Sequence, residues 1–271
     1  MMASMPSVHS QPTAAPSPAL ARSARPRPDA VLRWQWLALL CLGLGYSAAS
    51  TVQATDLQPF VASYEAFHNG KAAGTASMRV VRRDDAQWRV DLAIHGNRGF
   101  AGIVGLNIEQ STVFDEAGGH FRPLSQSTMR KVALFRRNTV GTYDWQAGTA
   151  QWTGDVKRER REAVPLQPGD MSGLLINLAL IRDARPGQAL HYRFVDAGRI
   201  RDHDYQVAAE TEAVQVGELS YEAMRVDRTN GGNDETIVWV ADGVPTPIRI
   251  LQREDGQDGI DLRLIEYQGA P

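Results

Sequence analysis

The chain has 271 residues, with 29 basic and 31 acidic side chains, a formal net charge of −2 and one cysteine. That balance argues against a nucleic-acid binder, which carries a basic excess. A lone cysteine excludes an internal disulfide framework.

Residues 1–30 are rich in Pro, Ser, Ala and Arg and lack hydrophobic periodicity. Such a composition builds no core. They are expected to be a disordered extension, or sequence ahead of the true start at Val31 or Leu32. Residues 31–54 read as a secretory signal peptide. Arg33 supplies the positive start, Leu37 to Leu44 the apolar core, and Val52 and Ala54 the small side chains of an A-x-A-like exit. The apolar run from Trp36 to Ala49 covers 14 positions, short of the roughly 20 that span a bilayer. Leu40 before Cys41 argues against lipidation, which needs a small residue there. Cleavage between Ala54 and Thr55 leaves 217 residues as a single β domain, 55–271. The removed part takes four bases and one acid with it, leaving 25 bases against 30 acids, a net of −5. It also takes Cys41, so the domain must stand on its core alone.

Alternation of apolar and polar residues dominates the domain. Trp88, Val90, Leu92 and Ile94 fall on one face, as do Ala76, Met78 and Val80. Period two over this length means strands with one buried face. Turn signals such as Asn69-Gly70, Gly118-Gly119 and Asp255-Gly256 separate the runs. Strands are expected at 59–68, 73–83, 87–96, 103–114, 120–130, 133–144, 149–154, 157–165, 188–195, 203–214, 219–228, 234–241, 245–254 and 259–267.

Asp170 to Asp183 breaks the pattern and reads as a helix. Asp170 is the expected N-cap, Arg182 and Arg185 lie near the negative end of the dipole, and Pro186-Gly187 closes the segment. Met171, Leu174, Leu175, Leu178 and Ile181 form one stripe, and Ile176, Ala179 and Leu180 cover much of the rest. A surface helix needs only one stripe, so this one should be buried on most sides, as in a sheet curled around it. Leu174, Leu178 and Ile181 are the candidate ligand-binding residues. They belong either to a permanent plug or to a lid over an apolar site.

Motifs of chemistry are weak. His68, His95, His120, His191 and His203 show no metal spacing, so neither metal nor other cofactor is expected. Arg201-Asp-His-Asp204 reads as a solvated turn. There is no G-x-S-x-G elbow, and Ser172 beside Asp170 reads as a capping residue. Glu210 and Glu212 share a strand face, but general acid–base work needs one of them buried. Gly96 to Gly105 is glycine-rich without a following G-K-[ST]. It reads as a bulged strand in preference to a phosphate cradle, lid or membrane-touching tip. The run Lys157 to Glu162 with Arg130, Lys131, Arg136 and Arg137 fits a basic strip facing anionic lipid. A solvated edge guarded against strand pairing is the preferred reading.

From about Tyr64 to Tyr267 the sequence resembles a family of exported Gram-negative proteins known as domain of unknown function 3108. The resemblance rests on Tyr64, Asn69-Gly70 and Gly74, on Pro123, on Asp170-Met-Ser172, and on Trp239-Val-Ala-Asp242 with Pro245-Thr-Pro247-Ile-Arg249. It implies an all-β, mainly antiparallel fold, similar to the half-barrel of LolA/LolB-like periplasmic lipoprotein carriers. The expected architecture is a strongly curved sheet or half-barrel enclosing one apolar helix. No catalytic residues come with the resemblance.

The leading expectation is a non-enzymatic protein of the periplasm, or peripheral to the outer membrane. It would shelter a lipid or acyl chain or dock to an envelope protein, with no nucleic acid and no transmembrane span after cleavage. The alternative is an envelope hydrolase whose site the sequence does not display. An outer-membrane barrel is disfavoured by the helical interruption and by charges on both strand faces. Mass spectrometry of a periplasmic extract should find a mature N-terminus of Thr55-Asp-Leu. A mature protein that keeps Leu37 to Leu44 would overturn both cleavage and export.

Overall fold

The computed structural model describes residues 57–84, 86–97, 106–132 and 134–269. The expected extension at 1–30, the expected signal peptide at 31–54 with its expected cleavage between Ala54 and Thr55, and most of the glycine-rich segment lie outside the described residues.

The first half is a meander: β1 (Phe60–His68), β2 (Lys71–Arg82), β3 (Trp88–Gly96), β4 (Asn107–Ala117), β5 (His120–Val132), β6 (Phe135–Asp144) and β7 (Thr149–Gly154). A 3-10 turn at Arg158–Arg160 and two two-residue strands, β8 (Val164–Pro165) and β9 (Asp170–Met171), lead into the helix α1 (Gly173–Asp183). The second half is another meander: β10 (Ala189–Asp196), β11 (Arg199–Val216), β12 (Leu219–Arg228), β13 (Asp234–Ala241), β14 (Arg249–Glu254) and β15 (Gln257–Gly269). Strands β1 and β15 pair and join the two meanders into one ladder, which runs from β8 through β1 and β15 to β9. Every pairing is antiparallel except the parallel contact of β9 with β10.

Local chemistry explains most of these elements. In β3, Trp88, Val90, Leu92 and Ile94 are buried, while Arg89 and Asp91 lie on the other face and pair at 2.9 Å. Asn69 and Gly70 both take positive φ, at 51° and 72°, and turn β1 tightly into β2. The buried Tyr64 on β1 donates its hydroxyl to the Pro247 carbonyl at 2.9 Å and also meets Thr246 Oγ1. This ties the first strand to the loop before β14.

Three expectations need correction. The sheet is not strongly curved or closed into a half-barrel: it is an open, mainly antiparallel ladder with one short helix, and its end strands β8 and β9 do not pair. Both end strands are two residues long, and Pro165 in β8 lacks a backbone donor, so neither edge offers a ladder that could close. The expected strand at 157–165 is the 3-10 turn followed by β8. Asp170 does not cap the helix. It is fully buried in β9, receives the Arg193 guanidinium, and accepts the Gln167 backbone N–H at 2.8 Å. Ser172 takes the N-cap position, but its hydroxyl meets Thr112 Oγ1 at 3.0 Å instead of capping.

Helix α1 packs against β3, β4 and β5 of the first meander and β10 and β13 of the second. Leu174, Leu175, Ile176, Leu178, Ala179 and Leu180 are all buried, so nearly the whole circumference is covered. The Arg185 guanidinium donates to the Arg182 and Ala184 carbonyls, satisfying acceptors at the helix end.

The Asp170–Arg193 pair fixes where the chain enters the helix. Arg193→Met strands a buried carboxylate and should cost about 3–5 kcal/mol in urea unfolding. Combining it with Asp170→Leu removes that charge and should recover part of the loss. A cost for Arg193→Met within about 0.5 kcal/mol, the range of ordinary surface changes, would mean that the pair does not anchor the entry.

Candidate functional site

A cavity of about 350 Å³ lies between α1 and strands of both meanders. Leu92, Ile94, Ile108, Leu174, Ile250 and Leu262 give it an apolar wall. Polar groups converge from β10, β11 and β12: Asp196, Arg201, His203 and Arg228. A larger depression of about 570 Å³ lies against Leu57 to Pro59, lined also by Arg82, Ala86, Trp88, Asp115 and Glu116. It lacks an apolar wall comparable to that of the smaller cavity, which has the character of a small-molecule site.

The polar side is assembled by strand alternation. Strand β10 turns into β11 at Ala197-Gly198, so β11 begins at Arg199 and His203 lies well inside it. Arg201, His203 and Tyr205 therefore point together into the cavity. Asp202 and Asp204 point the other way and hold His191, with His191 Nδ1 at 2.7 Å from Asp204 Oδ1. The expected solvated turn at 201–204 is thus a strand with an inward histidine. The strand begins early because Ala197-Gly198 forms the turn before it; Gly198 is the one local sign of that turn, and Ala197 gives none.

His203 is half-buried and stacks on Phe194, with ring centroids 4.6 Å apart. Both its ring nitrogens are shielded from solvent and have no hydrogen-bond partner. Burial, reinforced by the Arg228 and Arg201 charges, lowers its pKa to about 4. Arg201 and Arg228 form no ion pair among the described residues, and Arg228 Nε donates only to Asn230 Oδ1 at 3.2 Å. In the same hairpin, burial raises the Asp196 carboxyl above its ordinary value, although the Gln126 Nε2 hydrogen bond at 2.6 Å and the Arg201 charge act to lower it. Gln126 is itself held by Tyr143, whose hydroxyl lies 2.7 Å from both Gln126 Oε1 and the Val195 carbonyl.

The three helical candidates separate. Leu174 lines the cavity, Leu178 is buried away from it, and Ile181 is half-buried outside it. Ile176 and Asn177 take their places at the wall. The carboxylates Glu210 and Glu212 are exposed, and Glu212 accepts the Trp239 indole N–H. Among the described residues, no group of three or more His, Cys, Asp or Glu side chains is placed to hold a metal.

The family model described as "Protein of unknown function (DUF3108)" matches residues 61–263. No curated protein matches the sequence. A similar solved structure is the crystal structure of a beta-barrel-like protein of domain of unknown function DUF1849 from Brucella abortus. It is 11% identical, covers 79% of this chain and 99% of its own, and has a TM-score of 0.42. At that level it lends nothing to the reading of the site. The half-barrel of the LolA/LolB-like carriers that the resemblance implied is not the architecture of this sheet, which is an open ladder.

His203 gives the site a pH signature. Its pKa falls from 6.5 to about 4 on folding, so between those values the unfolded chain binds more protons. Its contribution to stability is fully present above about pH 6.5 and is lost as pH falls toward 4. His203→Phe should therefore flatten the fall in stability across that window. Parallel urea-midpoint profiles for both proteins would show that the imidazole is not held neutral.

Proposed function

The chain belongs to the DUF3108 family of proteins of unknown function, and we propose that its domain is a non-enzymatic periplasmic protein that shelters a small anionic amphiphile. The fitting ligand is a single acyl chain ended by a carboxylate. One observation carries this reading: the apolar wall of the cavity faces two arginines without ion pairs and a histidine without hydrogen-bond partners. His203 and Arg228 are half-buried, and such groups are costly to leave without partners there; Arg201, which is exposed, adds a second positive charge. An anionic headgroup would accept from Arg201 and Arg228 while the chain lies along Leu174, Ile94 and Leu262. The volume of about 350 Å³ lies at the small end of ligand sites and suits one chain better than a two-chain lipid. The signal-peptide pattern of the sequence at 31–54 supports export. No helix among the described residues is long and apolar enough to cross a membrane.

The hydrolase alternative has one observation in its favour. Asp196 and His203 face the same cavity with pKa values pushed in opposite directions, the pattern of an acid–base pair. Against it, His203 has neither a nucleophile nor an orienting partner bonded to its ring, as activated-nucleophile chemistry requires.

Calorimetric titration with laurate, methyl laurate and dodecylamine compares one chain under three head charges. Laurate should bind best and dodecylamine worst. A charged hydrogen bond is worth about 1.5–3 kcal/mol. Because Arg201 is exposed, the lower figure applies, and Arg201→Gln should weaken laurate about tenfold. Leu178→Ala should cost about 2–5 kcal/mol of stability while leaving laurate affinity in place. Equal binding of laurate and dodecylamine, or no binding of any of the three, would sink the proposal.

A further inference from the structure

The β5–β6 hairpin ends in two exposed apolar side chains, Leu134 at 98% and Phe135 at 80% exposure. Behind them stand four exposed bases in two cross-strand pairs, Arg130 opposite Arg137 and Lys131 opposite Arg136. Like charges placed directly opposite each other destabilise a hairpin, and no described carboxylate forms an ion pair with any of the four. Successive residues of a strand point to opposite faces. Arg130 and Arg137 therefore share one face and Lys131 and Arg136 the other, so positive charge surrounds the finger behind its apolar end.

Neither bland account explains this arrangement. Guarding an edge calls for charge, but the end of this hairpin carries leucine and phenylalanine. General solubility would disperse bases over the surface, yet residues 55–271 carry a net of −5. A local basic finger on an acidic body is oriented by an anionic surface, which attracts one end and repels the rest.

We propose that this hairpin docks the protein on an anionic lipid bilayer, with Leu134 and Phe135 entering the headgroup region and the four bases meeting lipid phosphates. Apolar side chains at the interface combined with a basic collar are the two signals that together hold a peripheral protein. The register adds a functional consequence. Ile94, Ile108, Arg130 and Arg137 lie in one cross-strand row, and Ile94 and Ile108 line the cavity. Docking places that side of the cavity next to the membrane. Docking itself requires no ligand in the cavity.

The chain has one cysteine, Cys41, so Cys41→Ser with Leu134→Cys accepts an NBD fluorophore at the hairpin end alone. The test mixes the labelled full chain with vesicles of pure phosphatidylcholine, or of equal parts phosphatidylcholine and phosphatidylglycerol. The emission should shift to the blue and brighten severalfold on the anionic vesicles only, and added salt should reverse it. Each base changed to Gln should weaken partitioning about fivefold, corresponding to about 1 kcal/mol, and changing all four should abolish the shift. All four positions are exposed, and unchanged thermal unfolding would verify that these variants fold. Equal emission on neutral and anionic vesicles, a shift that survives loss of all four bases, or the same shift with DNA in place of vesicles would overturn the proposal.

Discussion

Helix α1 cannot face water on any broad side, and this constraint organises the domain. Six of its eleven residues are buried side chains spread around the circumference, so strands of both meanders must supply the cover. Strands β3, β4 and β5 approach from one and β10 and β13 from the other. The pairing of β1 with β15 makes those two groups parts of one ladder. The Asp170–Arg193 pair sets the approach of the chain to the helix, and the Arg185 contacts with the last carbonyls satisfy its end. A helix with one apolar stripe could have rested on a single meander; this one requires both.

The cavity follows from the same packing. Around Leu174 and Ile176, near the first turn of α1, the facing strands present Asp196, Arg201, His203 and Arg228 instead of a continuous apolar surface. Charged groups resist full desolvation, so the layers do not close there as they do around Leu175 and Leu180, which are fully buried. The opposite displacements of the Asp196 and His203 pKa values share one main cause, burial that disfavours each charged form. That shared cause makes the pair a property of the cavity before it is evidence of catalysis.

The basic hairpin and the cavity are linked by register, not by sequence proximity. Arg130 sits beside Ile108, and Ile108 beside Ile94, in a row that runs from the finger to the cavity wall. A ladder of long antiparallel strands transmits position along such rows, since slipping one strand by a residue would move its apolar side chains to the wrong face. The finger and the cavity are therefore held in fixed relation by the core itself.

The sequence by itself determined most of the strands, the inward face of β3 and the presence of a helix before Pro186. Period-two burial in β3 and the Asn69-Gly70 turn are local properties, readable from neighbouring residues. So is the unusual apolarity of Leu174 to Leu180, which announced a buried helix before its cover was known. Only the tertiary structure decided the rest. Asp170 looked like a helix cap because capping is local, whereas its partner Arg193 stands on a different strand. The Asp-His-Asp run looked like a turn because the strand's start at Arg199 depends on Ala197 adopting a positive φ of 48°, which its residue type does not announce. Leu178 and Leu174 share a helical stripe, yet only Leu174 reaches the cavity, because the cavity belongs to the strands opposite. The open ladder was equally out of reach: closure is decided by whether two short end strands can pair, and alternation within each strand carries no information about its distant edge.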